Sequence, residues 1–190
     1  MKRLLLIVSL LICCVGLSSA QDDHFKFKGI PISGSIEEFG RKLVADGFCK
    51  VAVNTYKGKF LRGDCIVMPV GSDDGMIWRV AAVFGAVEAW STLSASFDGY
   101  VDLYTEKYGR PTKIARAFTG MYDNTAVRFG HQMSAVYHDA CNYIASWELP
   151  HGSIVVKIIK GDKFDSGCIM IVYTDNANKT VVRKADLDEI

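Results

Sequence analysis

The chain has 190 residues, with 22 basic and 21 acidic side chains, a formal net charge of +1 and only four histidines. So even a balance, without basic blocks, argues against nucleic acid as a partner, since neutralising phosphates needs clustered Lys and Arg. Of the six cysteines, those at 13 and 14 fall in an apolar leader, and no remaining pair has Cys-x-x-Cys spacing, which argues against structural zinc.

The first twenty residues read as a secretory signal peptide. Lys2 and Arg3 form a basic start, residues 4–15 are apolar, and Ser18-Ser19-Ala20 places small residues before a cleavage point at Gln21. The chain is therefore expected to be exported, periplasmic or secreted, after cleavage near Ala20. Cys13 and Cys14 raise a lipoprotein alternative, against which Leu11 and Ile12 put bulky residues where lipidation wants a small one. From Gln21 onward, 170 residues remain, 20 basic and 21 acidic, enough for one substantial core or two small fused ones. No later segment approaches ~20 uninterrupted apolar residues, so no integral membrane segment is expected in the mature chain.

Residues 21–34 look like a polar lead and a short extended segment. Ser35 and Glu38 then form a capping box for a first helix that buries Ile36, Phe39, Leu43 and Val44 and ends at Gly47. Three strands follow: one from Cys49 to Asn54, one carrying Leu61, Cys65 and Val67, and one from Met76 to Phe84 after a GSDDG turn. Reading Tyr56-Lys57-Gly58 as a three-residue loop sets Lys50 opposite Asp64, Val53 opposite Leu61 and Cys49 opposite Cys65. Opposed Cα atoms lie about 4.5–5.5 Å apart, so a Cys49–Cys65 disulfide is predicted, the alternative being two reduced thiols in the core.

Residues 88–111 carry the clearest local signal. Trp90, Leu93, Phe97, Tyr100, Val101 and Tyr104 make one apolar stripe, and Gly109 and Pro111 stop the helix. Residues 112–122 read as an extended connection. A third helix is expected from an Asn124 cap, with Val127, Phe129, Met133, Val136 and Tyr137 as its apolar positions and Gly130 interrupting it. Three more strands follow: residues 141–149, 152–160 and 168–175, with a polar tail after them that frays or forms a short helix. Cys141 and Cys168 fall in first and third strands, roughly 9.6 Å apart from strand spacing, and are expected to be reduced.

The expected fold class is α+β. A helix plus three-stranded antiparallel meander in residues 21–110 is matched by another in 111–190. The long central helix joins them, and the helices pack on one sheet face in a single compact unit. Trp90-x-x-Leu93 through Lys107-Tyr108-Gly109-Arg110-Pro111 resembles a recurrent segment of small exported bacterial proteins of uncharacterised function. So do Cys141-Asn142-Tyr143 through Trp147, residues 152–158, and residues 171–175 with Asn178. These proteins are similar to the fold group of the β-lactamase-inhibitor protein, built from tandem helix-plus-antiparallel-sheet units. In that inhibitor a sheet face binds a partner enzyme. None of its interface residues can be matched here, so the inhibitory activity does not carry over.

Local motifs for chemistry are weak. His131 and His138 are seven apart, with Asp139 adjoining the second, where zinc on a helix prefers a spacing of four. His151 sits in an expected turn. Asp73-Asp74 and Asp162 with Asp165 read as polar hairpin turns, since neither supplies the six to eight oxygens of a calcium site. Asn178-Lys179-Thr180 is a glycosylation sequon. No catalytic, metal or cofactor residue is assigned. The candidate interaction face is the exposed side of the sheet: Phe48, Lys50, Asn54, Phe60, Arg62, Asp64, Asn142, Ser146 and Glu148. The expected function is a non-enzymatic exported binding module for a protein or cell-envelope component. The alternatives are a hydrolase with a dispersed His/Asp site and a structural or chaperone-like envelope protein.

Overall fold

The computed structural model describes residues 23–61, 63–123 and 130–188, with side chains to 184. The fold is α+β. A small hairpin of β1 (Lys26–Phe27) and β2 (Ile30–Pro31) precedes α1 (Ile36–Ala45). Then come β3 (Cys49–Ala52), β4 (Thr55–Phe60), β5 (Gly63–Gly71) and β6 (Ile77–Phe84). After α2 (Trp90–Tyr108) follow β7 (Lys113–Phe118), a 3-10 turn (Gly120–Tyr122) and α3 (Gln132–Tyr137). The chain closes with β8 (Cys141–Leu149), β9 (Gly152–Lys160), β10 (Gly167–Asp175) and α4 (Asn176–Asp188). Strands β3 to β10 form one antiparallel sheet of eight, in the order β3-β4-β5-β6-β10-β9-β8-β7. Among the described residues no helix is long and apolar enough to cross a membrane.

Each half of the chain thus brings four strands to the sheet where three were expected. In the second half the extra strand is β7, which the sequence suggested only as an extended connection. It pairs with β8 from Lys113↔Ser146 to Phe118↔Cys141 and forms one edge. In the first half the expected turn at Tyr56-Lys57-Gly58 is the middle of β4. The chain reverses instead at Val53-Asn54, where Asn54 is left-handed, and after Phe60, where Leu61 is left-handed (φ 53°). Gly58 misleads for a physical reason. It is not left-handed, and a Cβ there would collide with the ring of Phe48, which lies flat on it. It is a packing glycine, not a turn glycine.

The corrected register separates the two cysteines expected to pair. Cys49 faces Lys57 and Cys65 faces Gly58, so β4 stands between them and they point to opposite sheet faces. Two strand spacings, roughly 9.6 Å, exceed disulfide reach. Cys49 is an exposed free thiol and Cys65 a buried one. Cys141 and Cys168 are also free, with β9 between their strands.

The helices follow their local signals. The Ser35 hydroxyl accepts from the Glu38 amide and the Glu38 carboxylate accepts from the Ser35 amide, each at 3.1 Å. Of the expected α1 stripe, Phe39 and Leu43 are buried, whereas Val44 is exposed. The α2 stripe buries Leu93, Phe97, Val101 and Tyr104 against β8, β9 and β10, with Trp90 and Tyr100 at its margins. The indole of Trp147 on β8 donates to the Gly109 carbonyl at 2.9 Å, tying the end of α2 to the sheet. Only six residues of the expected third helix form α3, after a left-handed Gly130. The proposed cap Asn124, with Val127 and Phe129, lies outside the described residues.

One face of the sheet is covered by α1, α2, α3 and the β1–β2 hairpin. Its side chains, Phe60, Val67, Val80, Ala82, Ile171, Tyr173, Ile154, Val156, Ala145 and Trp147, form one core with Phe27, Phe39 and Phe97. A bulge at Trp78 keeps Ile77 and Val80 on this covered face. Gly58→Ala is expected to displace Phe48 and lower stability by roughly 1–3 kcal/mol, read from a urea unfolding curve. An unchanged midpoint would contradict the register.

Candidate functional site

The register fixes what the other face presents, because alternate side chains in a strand point to opposite sides. One row across the sheet runs Cys49, Lys57, Ile66, Val83, Met170, Lys157, Ile144 and Ala115. The next row runs Met68, Ala81, Val172, Val155, Ser146 and Lys113. Ile66, Met68, Val83, Met170, Val172, Val155 and Ile144 are all partly exposed, so this face stays open across its centre. Toward the end of the sheet where α4 begins, the same face continues as Val70, Arg79, Thr174, Ser153 and Glu148, and there Thr174 and Ser153 are buried.

This assignment changes the expected interaction face. Asp64, Asn142, Ser146 and Glu148 do lie on the open face. Phe48 and Phe60 do not: they are 2% and 6% exposed, and Phe60 packs on Phe27 and Phe84 in the core. Lys50 pairs with Tyr56 and lines a hollow against Glu37, Arg41 and Val44 of α1, on the helix side. Asn54 sits in the β3–β4 turn, and Arg62 lies outside the described residues. The cause is the turn at Tyr56-Lys57-Gly58. With the register reset by the real turns, the facing of β3 and β4 differs from the expected one. What sequence reasoning missed is the apolar centre. Its residues read as ordinary strand core, and only the strand order shows which side the helices leave bare.

The histidines gather no chemistry. His131 and His138 stand exposed at the two ends of α3, with His138 stacked on Tyr122 and edge-on to Tyr137. Among the described residues no three side chains of His, Cys, Asp and Glu come together in a metal-binding group. The nearest approach to a catalytic pair is His24 with Asp175, whose Nδ1 and Oδ2 are 3.2 Å apart. Asp175 is fully buried, however, and its oxygens already accept from the Phe25 amide at 2.6 Å and the Asn178 amide at 2.8 Å. The second of these caps α4. No hydroxyl or thiol hydrogen-bonds His24 among the described residues. The pair fastens the start of the described chain to its last strand.

Asn178 completes that fastening. Its side-chain amide donates to the carbonyls of Ile32, at 3.1 Å, and Ile77, at 2.8 Å. Both amide hydrogens are spent and the residue is 6% exposed, so the folded sequon offers no acceptor nitrogen for a glycan.

A groove of about 570 Å³ between α2 and the β4–β5 turn is lined by Leu61, Ser96, Gly99, Tyr100 and Leu103. Its described lining holds one hydroxyl and one phenol, the latter pushed up by burial, and no carboxylate or imidazole. Burial likewise pushes the Cys65 thiol up to about 11 and the Cys141 thiol to about 12. Comparison with protein-family models, with curated proteins and with solved structures finds no match for the chain.

Two measurements check this geometry. A maleimide at neutral pH is expected to label Cys49 in the native protein, with Cys65 more than about a hundredfold slower because its thiolate is scarce and enclosed. Oxidised Cys49 and Cys65 in a non-reducing peptide map would contradict it. Asp175→Ala is expected to cost about 2–3 kcal/mol by urea unfolding, since it strands a buried amide and uncaps α4.

Proposed function

We propose that the chain is an exported, non-enzymatic binding module that holds a protein or cell-envelope component against the open face of its sheet. The observation that carries this reading is the contiguous, partly exposed apolar centre formed by Ile66, Met68, Val83, Met170, Val172, Val155 and Ile144. Exposed Lys57, Lys113, Asn142 and Glu148 stand around it. An apolar centre inside a polar rim is the anatomy of a protein interface. Eight strands at ~4.8 Å, each offering about three alternate positions, span roughly 38 by 20 Å, near the ~800 Å² that one partner contributes to a standard interface. The leader in residues 1–20 supports export.

The fold reading belongs with this proposal. The halves at 21–110 and 111–190 are two versions of one helix-plus-meander unit, now of four strands each, related to the tandem fold group of the β-lactamase-inhibitor protein. In support, the first half runs helix then four strands and the second one strand, a helix and three strands, and the sheet order reads outward from the β6–β10 seam in descending chain order on both sides.

The test is affinity capture from envelope extract with the exported chain and its Val172→Glu variant, which plants a charge in the apolar centre. The wild type is expected to retain a reproducible partner that the variant loses by at least about tenfold, while the variant keeps its thermal midpoint. A partner held equally by both would move the site elsewhere, and none across conditions would sink the binding reading.

A further inference from the structure

Resting on the open-face reading, we infer that the partner is an acidic protein or peptide segment that presents carboxylates among apolar side chains. Lys157 lies inside the apolar centre, between Met170 of β10 and Ile144 of β8 in its row, and is partly buried. Among the described residues its ammonium has no hydrogen-bond or ion-pair partner. It lines a hollow of about 500 Å³ with Asn142, Ile144 and Ile159, and the one carboxylate of that lining, Asp139, is held by Lys160 at 2.6 Å. Its ammonium is not enclosed, so water solvates it in the free protein, and a carboxylate seated on this face would replace that water.

Arg79 repeats the pattern independently. It pairs in register with Val70 and Thr174 on the same open face, and its guanidinium lies 4.1 Å from the centroid of the Trp78 ring. Its Nε is buried without a hydrogen-bond acceptor. A buried donor left unsatisfied normally costs stability unless an incoming group meets it. Counting the rim, the described open-face residues carry five cations, Lys57, Lys59, Arg79, Lys113 and Lys157, against two carboxylates, Asp64 and Glu148. The chain from Gln21 onward has one more acidic than basic residue, so this face departs from the molecule's own balance.

Charge complementarity then chooses the occupant. A second copy would set the same cationic face against itself and bury both Lys157 ammonium groups without counter-charges, which is strongly unfavourable. An anionic lipid surface suits cations at a rim, but seating this face in lipid would carry the central lysine toward the acyl layer. A carboxylate on a protein segment reaches Lys157 while flanking apolar side chains cover Met170, Val172 and Ile144.

The experiment is selection of a phage-displayed library of random 12-residue peptides against the exported chain, run in parallel against Lys157→Met, Lys157→Arg and Val172→Glu, each checked for an unchanged thermal midpoint. Peptides enriched on the wild type are expected to place Asp or Glu beside apolar residues and to be lost on Val172→Glu. They should bind Lys157→Met at least about tenfold more weakly and Lys157→Arg nearly as well. Apolar peptides without acidic enrichment, lost on Val172→Glu but indifferent to Lys157→Met, would overturn the inference and leave the open-face reading standing. Peptides indifferent to Val172→Glu would overturn both. Binding to phosphatidylglycerol vesicles, or a concentration-dependent dimer, that Val172→Glu abolishes would replace the acidic segment with a lipid surface or a second copy.

Discussion

The structure depends on the antiparallel pairing of β6 with β10, from Arg79↔Thr174 to Val83↔Met170. Without each other, β6 and β10 would both be unpaired edges, open to aggregation. Joining the two last strands removes both edges at once and leaves only β3 and β7 outermost. It also creates a continuous face wide enough for α2 to cross. Val80 and Ala82 from one half meet Tyr173 and Ile171 from the other beneath that helix, so the core is shared. Neither half closes a core by itself.

Pairing at the centre also settles which side is bare. The connection through α2 runs over the covered face, and Tyr104 on that helix hydrogen-bonds Tyr173 on β10 through their buried hydroxyls. Burial pushes both phenols up, so the pair stays neutral and the contact is a polar anchor inside an aromatic core. The β1–β2 hairpin adds Phe25 and Phe27 against Tyr173 on the same side. With three helices and a hairpin committed there, nothing comparable covers the centre of the opposite face among the described residues. Its β-branched and methionine side chains therefore shelter one another only partly.

The ends of the described chain are held by a small polar knot. Asp175 receives the Phe25 and Asn178 amides, and Asn178 reaches back to the carbonyls of Ile32 and Ile77. Each buried polar group has a partner, which makes the knot stabilising where a half-satisfied version would not be. The cations of the open face contrast with it. The Arg79 Nε and, in the β9–β10 loop, the Asp165 Oδ1 are buried without a partner, and the Lys157 ammonium is left to solvent.

Much of the architecture was legible in local chemistry. The capping box at Ser35 and Glu38, the α2 stripe with its Gly109 stop, and the alternation in residues 141–149 and 152–160 depend on neighbours within a turn or one strand. The α+β class follows from them. Other features turned on contacts distant in sequence. Gly58 carries the composition of a turn and the role of a packing site, because Phe48 needs the space its missing side chain leaves. That one glycine shifts the expected register, parts Cys49 from Cys65, and buries Phe48 and Phe60 where exposure was expected. The strand at Lys113–Phe118 was read only as extended because an edge strand buries little and shows weak periodicity. By itself the sequence determined the helices, most of the strands and the apolar residues available to a core. Which face of the sheet those residues serve was decided only by strand order, since period-two alternation marks two faces but not which one a helix from elsewhere in the chain will cover.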